Sequence, residues 1–69
     1  MAVKVNGKDL TLEKPVSVTE LLTLAKAEAP EYVTVELNDE FVKRGDFDTT
    51  QVKDGDVVEF LYYMGGGAQ

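Results

Sequence analysis

Residues 3–12, VKVNGKDLTL, decide the fold because they encode a β-hairpin. Apolar and polar residues alternate on both sides of Asn6-Gly7. That dipeptide is typical of a type I′ turn, whose two central residues both have positive φ. The period of two on either side predicts two strands, each with one apolar face. Pro15 marks the end of the second strand, since proline cannot donate a ladder hydrogen bond.

A helix is predicted to begin soon after the hairpin, at Ser17-Val18-Thr19-Glu20. These residues fit a capping box, in which the Ser17 hydroxyl accepts a hydrogen bond from the Glu20 amide and the Glu20 carboxylate accepts one from the Ser17 amide. Apolar residues then recur at helical spacing as far as Ala29, and Pro30 stops the pattern. The pattern indicates one amphipathic helix of about three turns.

The second half of the chain returns to the period of a strand. Residues 33–37 alternate as a third strand, and residues 38–40 form a turn that leads into the short strand Phe41-Val42. Residues 43–51 have neither period and are predicted as a loop at the sheet edge, with room for one helical turn. A tight turn at residues 53–56, where Gly55 can take positive φ, leads into the last strand, residues 57–63.

This order of elements predicts an α+β roll, in which one helix packs on one face of a mixed sheet. Residues 1–64 form the domain. Residues 65–69 form a flexible tail, because three consecutive glycines cannot hold a regular structure. The predicted core consists of the inward apolar positions of these elements: Val3, Val5, Leu10, Leu12, Val18, Leu21, Leu22, Ala25, Val33, Val35, Leu37, Val58 and Phe60.

The composition of the 69 residues excludes several classes of protein. The chain has no cysteine and no histidine, which rules out a disulfide scaffold and a cysteine nucleophile and removes the usual general base and metal ligand. Thirteen acidic and seven basic residues give a net charge of -6. That balance argues against nucleic acid or membrane partners and suits a basic protein surface. The apolar runs are too short to span a bilayer and the first strand begins at once, so a cytoplasmic location is expected.

Two pairs of carboxylates and the glycine run are the candidates for chemistry. Asp46/Asp48 and Asp54/Asp56 lack the spacing of a calcium loop and are interpreted as solvated turns. Residues 65–67 do not form a phosphate-binding loop, because such a loop opens a helix and only two residues follow them. A glycine end can instead thread a narrow channel in another enzyme, which then acts on the terminal carboxylate.

These elements and the tail together resemble the ubiquitin-like β-grasp sulfur carriers, and most closely the ThiS family of thiamine-biosynthesis sulfur carriers, which is related to the MoaD-type carriers. The resemblance covers the hairpin and the helix start at residues 17–22. It includes residues 35–42, VELNDEFV, which match the family's V-x-x-N-x-x-x-V segment, and residues 52–60, VKDGDVVEF. It ends with Met64-Gly65-Gly66-Gly67.

The resemblance implies a protein cosubstrate rather than an enzyme, with no bound cofactor and no metal site. A ThiF-type adenylating enzyme would join the terminal glycine carboxylate to AMP, using ATP and magnesium. Sulfur from a cysteine desulfurase would then displace AMP and leave a thiocarboxylate. A ThiG-type thiazole synthase would take that sulfur into the thiazole ring of thiamine phosphate.

The end of the chain departs from the family, whose members end at the glycines, because Ala68-Gln69 follow here. We therefore predict that a metallopeptidase removes these two residues and exposes Gly67 for adenylation and thiocarboxylate formation. Gly66 is the alternative functional end, and Gly65 completes the tail. The acceptor pathway stays open between thiamine, molybdopterin and sulfur amino acid synthesis. A noncatalytic ubiquitin-like interaction module is the other class of function that fits this fold.

A partner surface is predicted on the outward side of the last strand. If Val58 and Phe60 face the core, then Val57, Leu61 and Tyr63 face outward. Together with Phe41 they form an exposed apolar strip, and strips of this kind, rich in aromatic residues, are typical of docking surfaces.

Overall fold

The computed structural model describes residues 1–62, so the predicted domain boundary at residue 64 and the glycine tail lie outside the described residues. The elements in chain order are β1 (Ala2–Val5), β2 (Lys8–Thr11), β3 (Val16–Ser17), α1 (Val18–Leu24), β4 (Thr34–Leu37), β5 (Glu40–Val42), a 3-10 turn (Arg44–Asp46), β6 (Gln51–Val52) and β7 (Val57–Leu61).

Five of the strands form one mixed sheet with the order β2-β1-β7-β4-β5. The two outer pairs are antiparallel hairpins, whereas β1 and β7 run parallel, with Lys4 opposite Val57. The last strand therefore lies at the centre of the sheet, between the first strand and β4. The α+β roll expected from the sequence is confirmed.

The first hairpin turns as its sequence predicts, and the second turns one residue more tightly than predicted, because Glu40 already belongs to β5. Asn6 and Gly7 have φ of 52° and 83°, and Asn38 and Asp39 have φ of 52° and 70°. Positive φ at both central residues is the signature of the type I′ turn, whose twist matches that of the strands it joins. Gly55 also has positive φ, as expected for the turn before β7.

The start of α1 is the predicted capping box. The Ser17 hydroxyl accepts a hydrogen bond of 3.1 Å from the Glu20 amide, and the Ser17 amide donates one of 2.9 Å to the Glu20 carboxylate. Two of the amide groups that every helix start leaves without a partner are thereby satisfied.

The helix is shorter than the predicted three turns, so that expectation is wrong. It ends because Lys26 has a φ of 56°. The Ala27 amide donates to the Leu22 carbonyl at 2.9 Å, and the Lys26 amide donates to the Thr23 carbonyl at 3.1 Å. This pair of bonds is a Schellman motif, which usually places glycine where Lys26 stands. The sequence therefore carries no stop signal at this point, and its apolar spacing runs on to Ala29.

A second, two-stranded sheet was not expected. β3 and β6 pair antiparallel, with Val16 opposite Val52 and Ser17 opposite Gln51. Each strand has two residues, which is too short for a hydrophobic period to be read from sequence. The pair ties the segment before α1 to the turn before β7.

The core lies between the five-stranded sheet and α1, and most of the predicted positions are buried in it. Four predicted members, however, are only partly buried: Val5, Leu10, Ala25 and Leu37. Four buried members were not predicted: Val16, Val42, Phe47 and Val52. Val16 and Val52 are buried through the unexpected strand pair, and Phe47 follows the 3-10 turn within a segment that has no period.

Candidate functional site

The predicted working end of the molecule, Gly65, Gly66 and Gly67, lies outside the described residues, but the structure shows what holds the chain just before it. β7 is hydrogen-bonded on both sides, to β1 and to β4, and its pairing with β4 reaches Leu61 opposite Thr34. Residue 62 therefore directly follows the central strand of the sheet.

The predicted docking residues that the structure describes share one face of the sheet. Val58 and Phe60 are buried, so Val57, Glu59 and Leu61 point to the opposite side from α1. We call this side the outer face. It also carries Glu36 of β4 and Phe41 of β5, which lie opposite each other. Tyr63, the fourth predicted member, lies outside the described residues.

The apolar side chains of the outer face are separate rather than a continuous strip. Phe41 is 64% exposed and Val57 is 43% exposed, whereas Leu61 is half-buried. Glu59 stands between Val57 and Leu61 along β7. The face thus presents large apolar groups with a carboxylate at its centre.

Negative charge is concentrated on the outer face by the strand register. Glu36 and Glu59 are direct cross-strand partners, and the carboxylates of these two residues and Asp39 have oxygen atoms within 4.8 Å of one another. Like charges directly opposite each other destabilise a sheet. Exposed carboxylates at this spacing are common on acidic proteins and do not define a metal centre. Sequence reasoning missed the cluster because it depends on which residues face each other across β4 and β7.

The carboxylate pairs singled out in the sequence have different environments. Asp46 and Asp48 are exposed, and Asp48 accepts a hydrogen bond of 2.6 Å from the Thr19 hydroxyl. Asp54 is also exposed and accepts one of 2.8 Å from the Ala2 amide.

Asp56 is different, so its interpretation as part of a solvated turn is wrong. It is only 6% exposed. Its carboxylate accepts hydrogen bonds from the Asn38 side-chain amide at 3.0 Å and from the Lys53 backbone amide at 2.8 Å. The Asn38 side-chain carbonyl in turn accepts from the Val57 amide at 2.9 Å. Asp56 therefore joins the β4–β5 turn to the start of β7, beside the outer face.

A groove of about 570 Å³ lies on the other side of the molecule, between β2 and α1. Its charged lining residues are Glu13, Lys14 and Glu20. The Glu20 carboxylate is already bonded in the capping box. The other lining residues are apolar or carry hydroxyl groups.

A mixed sheet whose parallel first and last strands lie at its centre, with one helix packed across it, defines the ubiquitin-like β-grasp class. Solved structures agree. The crystal structure of thiamine biosynthesis protein ThiS from Geobacter metallireducens is 56% identical, with a TM-score of 0.89, over 97% of this chain and all of that chain. The solution structure of a thiamine biosynthesis protein from the same organism is 55% identical, with a TM-score of 0.75, over all of this chain and 91% of that chain.

The model of the ThiS family matches residues 3–67, and the chain belongs to that family. No curated protein matches the chain. Within residues 1–62, no helix is long and apolar enough to cross a membrane.

Proposed function

We propose that this protein is a sulfur carrier for thiamine biosynthesis, a cosubstrate on which partner enzymes act. The observation that carries the proposal is the family match, which runs through the core and stops at Gly67. The ThiS relative of known structure aligns over its whole length with 97% of this chain. The glycine end therefore belongs to the part of the chain that is shared, and Ala68-Gln69 follow it.

The proposed chemistry takes place at the carboxylate of Gly67 after Ala68-Gln69 have been removed by a metallopeptidase. A ThiF-type enzyme binds ATP with magnesium, the glycine carboxylate attacks the α-phosphate, and pyrophosphate leaves. A persulfide sulfur supplied by a cysteine desulfurase attacks the acyl carbon, and AMP leaves. A thiol then cleaves the sulfur–sulfur bond, and the resulting thiocarboxylate gives its sulfur to a ThiG-type thiazole synthase. The carrier supplies recognition and a reactive end without side-chain catalysis.

The outer face is the proposed contact with the adenylating enzyme. Phe41 and Val57 offer exposed apolar area, and the half-buried Leu61 extends it toward residue 62. The carboxylates of Glu36 and Glu59 repel each other in the free protein, and a cation from the partner relieves that repulsion. The partner surface that fits this face has an apolar pocket for Phe41 beside arginine or lysine side chains.

Replacing Phe41 with glutamine is expected to weaken binding to the adenylating enzyme about tenfold or more, because exposed aromatic anchors carry much of the energy of an interface. Leu24→Gln is the matched control, since Leu24 is 52% exposed on the helix side of the sheet. Titration calorimetry with the purified partner measures both variants. Equal affinities for the two variants would show that the outer face does not dock.

The intact mass of the untagged protein from its own cells, grown under thiamine starvation, tests the proposed function. The expected species ends at Gly67 and has one oxygen replaced by sulfur. A chain that still ends at Gln69 and contains no added sulfur would contradict the trimming and favour a binding module.

A further inference from the structure

We propose that Tyr62 is a positioning residue, which fixes the point from which the glycine segment leaves the domain. The inference rests on the proposed function, because it concerns how the carboxylate is delivered to the partner. Its basis is a set of hydrogen bonds at the end of β7 that the strand pairing does not require.

The first of these bonds comes from the type I′ turn of the opening hairpin. β1 ends at Val5, and the ladder between β1 and β7 ends with Val5 opposite Val58. Asn6 continues that ladder: its backbone amide donates to the Val58 carbonyl at 2.9 Å, and its side-chain carbonyl accepts from the Phe60 amide at 2.8 Å. The last strand is thus held on the β1 side two residues beyond the regular pairing.

The second bond lies one residue past the end of β7. The Tyr62 hydroxyl donates a hydrogen bond to the backbone carbonyl of Glu28, in the loop between α1 and β4. Leu61 is the last residue of β7 that pairs with β4. The phenol therefore attaches the chain to a second, separate part of the structure immediately before residue 63.

The loop that receives Tyr62 is itself fixed. The Arg44 guanidinium donates to the Pro30 carbonyl at 2.9 Å and to the Val33 carbonyl at 2.7 Å, and it stacks over the ring of Phe47 at 5.1 Å. On the other side, the Schellman motif that closes α1 holds Ala27. Glu28 is exposed and lies between these two attachments, which restrict the loop on either side of its carbonyl.

The hydrogen bond of Tyr62 sets the number of residues between the last attachment to the domain and the carboxylate of Gly67. From Tyr62, five residues lead to Gly67, and an extended chain of that length reaches at most about 18 Å. If Tyr62 is released, one more residue must be ordered each time the carboxylate enters the active site of the partner. Ordering a residue has an entropic cost that corresponds to a rate reduction of about five- to thirtyfold.

Tyr62→Phe, which removes only the hydroxyl, tests this role in a chain that ends at Gly67. Shortening the chain to Gly67 removes none of the hydrogen bonds described here, because they all lie within residues 1–62. Tyr32→Phe is the matched control, since Tyr32 is 77% exposed in the same loop as Glu28. We expect Tyr62→Phe to lower kcat for adenylation about five- to thirtyfold, with KM and the melting temperature close to those of the parent chain. We expect Tyr32→Phe to change none of them. Equal kcat for both variants would overturn the proposal.

Backbone ¹⁵N relaxation of the full-length parent chain and of full-length Tyr62→Phe tests, without any partner, whether the Tyr62 hydroxyl anchors the chain after β7. The expected result is a rise in fast motion at residues 63–66 in the variant and no change in β7. Identical relaxation in both chains would overturn the anchoring role. If the parent chain is anchored but no enzyme adenylates it, the proposed function fails while Tyr62 keeps its structural assignment. If the variant fails to fold, exchange of the tyrosine hydroxyl protons with water in the parent chain tests the same hydrogen bond. The expected result is slower exchange at Tyr62 than at Tyr32.

Discussion

A chain that ends at Gly67 is expected to be adenylated at least a hundredfold faster than the 69-residue chain. Ala68-Gln69 place the free carboxylate two residues beyond the glycine, a displacement of about 7 Å in an extended chain. A reacting group must lie within about 3–3.5 Å of its target to react efficiently, so a displacement of this size removes the terminal carboxylate from the α-phosphate. The two added side chains also obstruct a channel that admits only glycine. Release of pyrophosphate by the purified adenylating enzyme measures both chains.

A chain that ends at Gly65 is the control for the fold. It retains every residue of the described domain and is expected to bind the adenylating enzyme, because the outer face is intact, but not to be adenylated. An interaction module whose tail is never activated would bind equally well in all three forms and release no pyrophosphate in any. Equal rates for the 69-residue chain and the chain that ends at Gly67 would contradict the need for trimming.

Replacing Asp56 with alanine is expected to lower the free energy of unfolding by about 2–3 kcal/mol. The substitution removes the carboxylate that accepts from the Asn38 side-chain amide and the Lys53 backbone amide, and a hydrogen bond to a charged group contributes about 1.5–3 kcal/mol. A domain of this size has about 3–10 kcal/mol of stability in total, so the loss is a large share of it. Urea unfolding followed by circular dichroism measures the change.

Asp54→Ala is the matched control, because Asp54 lies two residues earlier in the same turn and is exposed. Its hydrogen bond to the Ala2 amide is accessible to water, so its loss is expected to cost less than about 1 kcal/mol. Similar losses in the two variants would mean that the burial of Asp56 adds nothing to its contribution.

The features that were predicted correctly from the sequence depend on neighbouring residues. Asn6-Gly7 specified its turn and Ser17 with Glu20 specified the helix start, because each of these signals lies within four residues. The order of elements predicted a mixed sheet with one helix, but no local pattern contains the position of the last strand between β1 and β4.

The features that were missed depend on distant pairing or on an uncommon residue. Lys26 adopts a left-handed conformation that glycine adopts more easily. Because no glycine stands at this position, the end of the helix could not be predicted. The Asn38 side chain that donates a hydrogen bond to the buried Asp56 lies eighteen residues away along the chain. The carboxylate pair Glu36 and Glu59 exists only because β4 and β7 are neighbours in this register. The predicted alternation was right for residues 57–61, where β7 ends two residues before the predicted end of the strand, but alternation does not say which residues lie opposite.

The central position of β7 has a consequence for synthesis of the protein on the ribosome. β1 is made first and β7 last, and the other elements are made between them. Long-range pairing of this kind closes slowly, because almost the whole chain forms the connecting loop. The nascent chain therefore lacks the middle of its sheet until residues 57–61 have been synthesised. If translation stops within or before β7, the polypeptide lacks the strand that pairs with both β1 and β4. Proteases degrade such an incompletely folded chain more readily than a folded domain. The topology thus makes protection from proteolysis depend on translation of the strand that precedes the proposed reactive end.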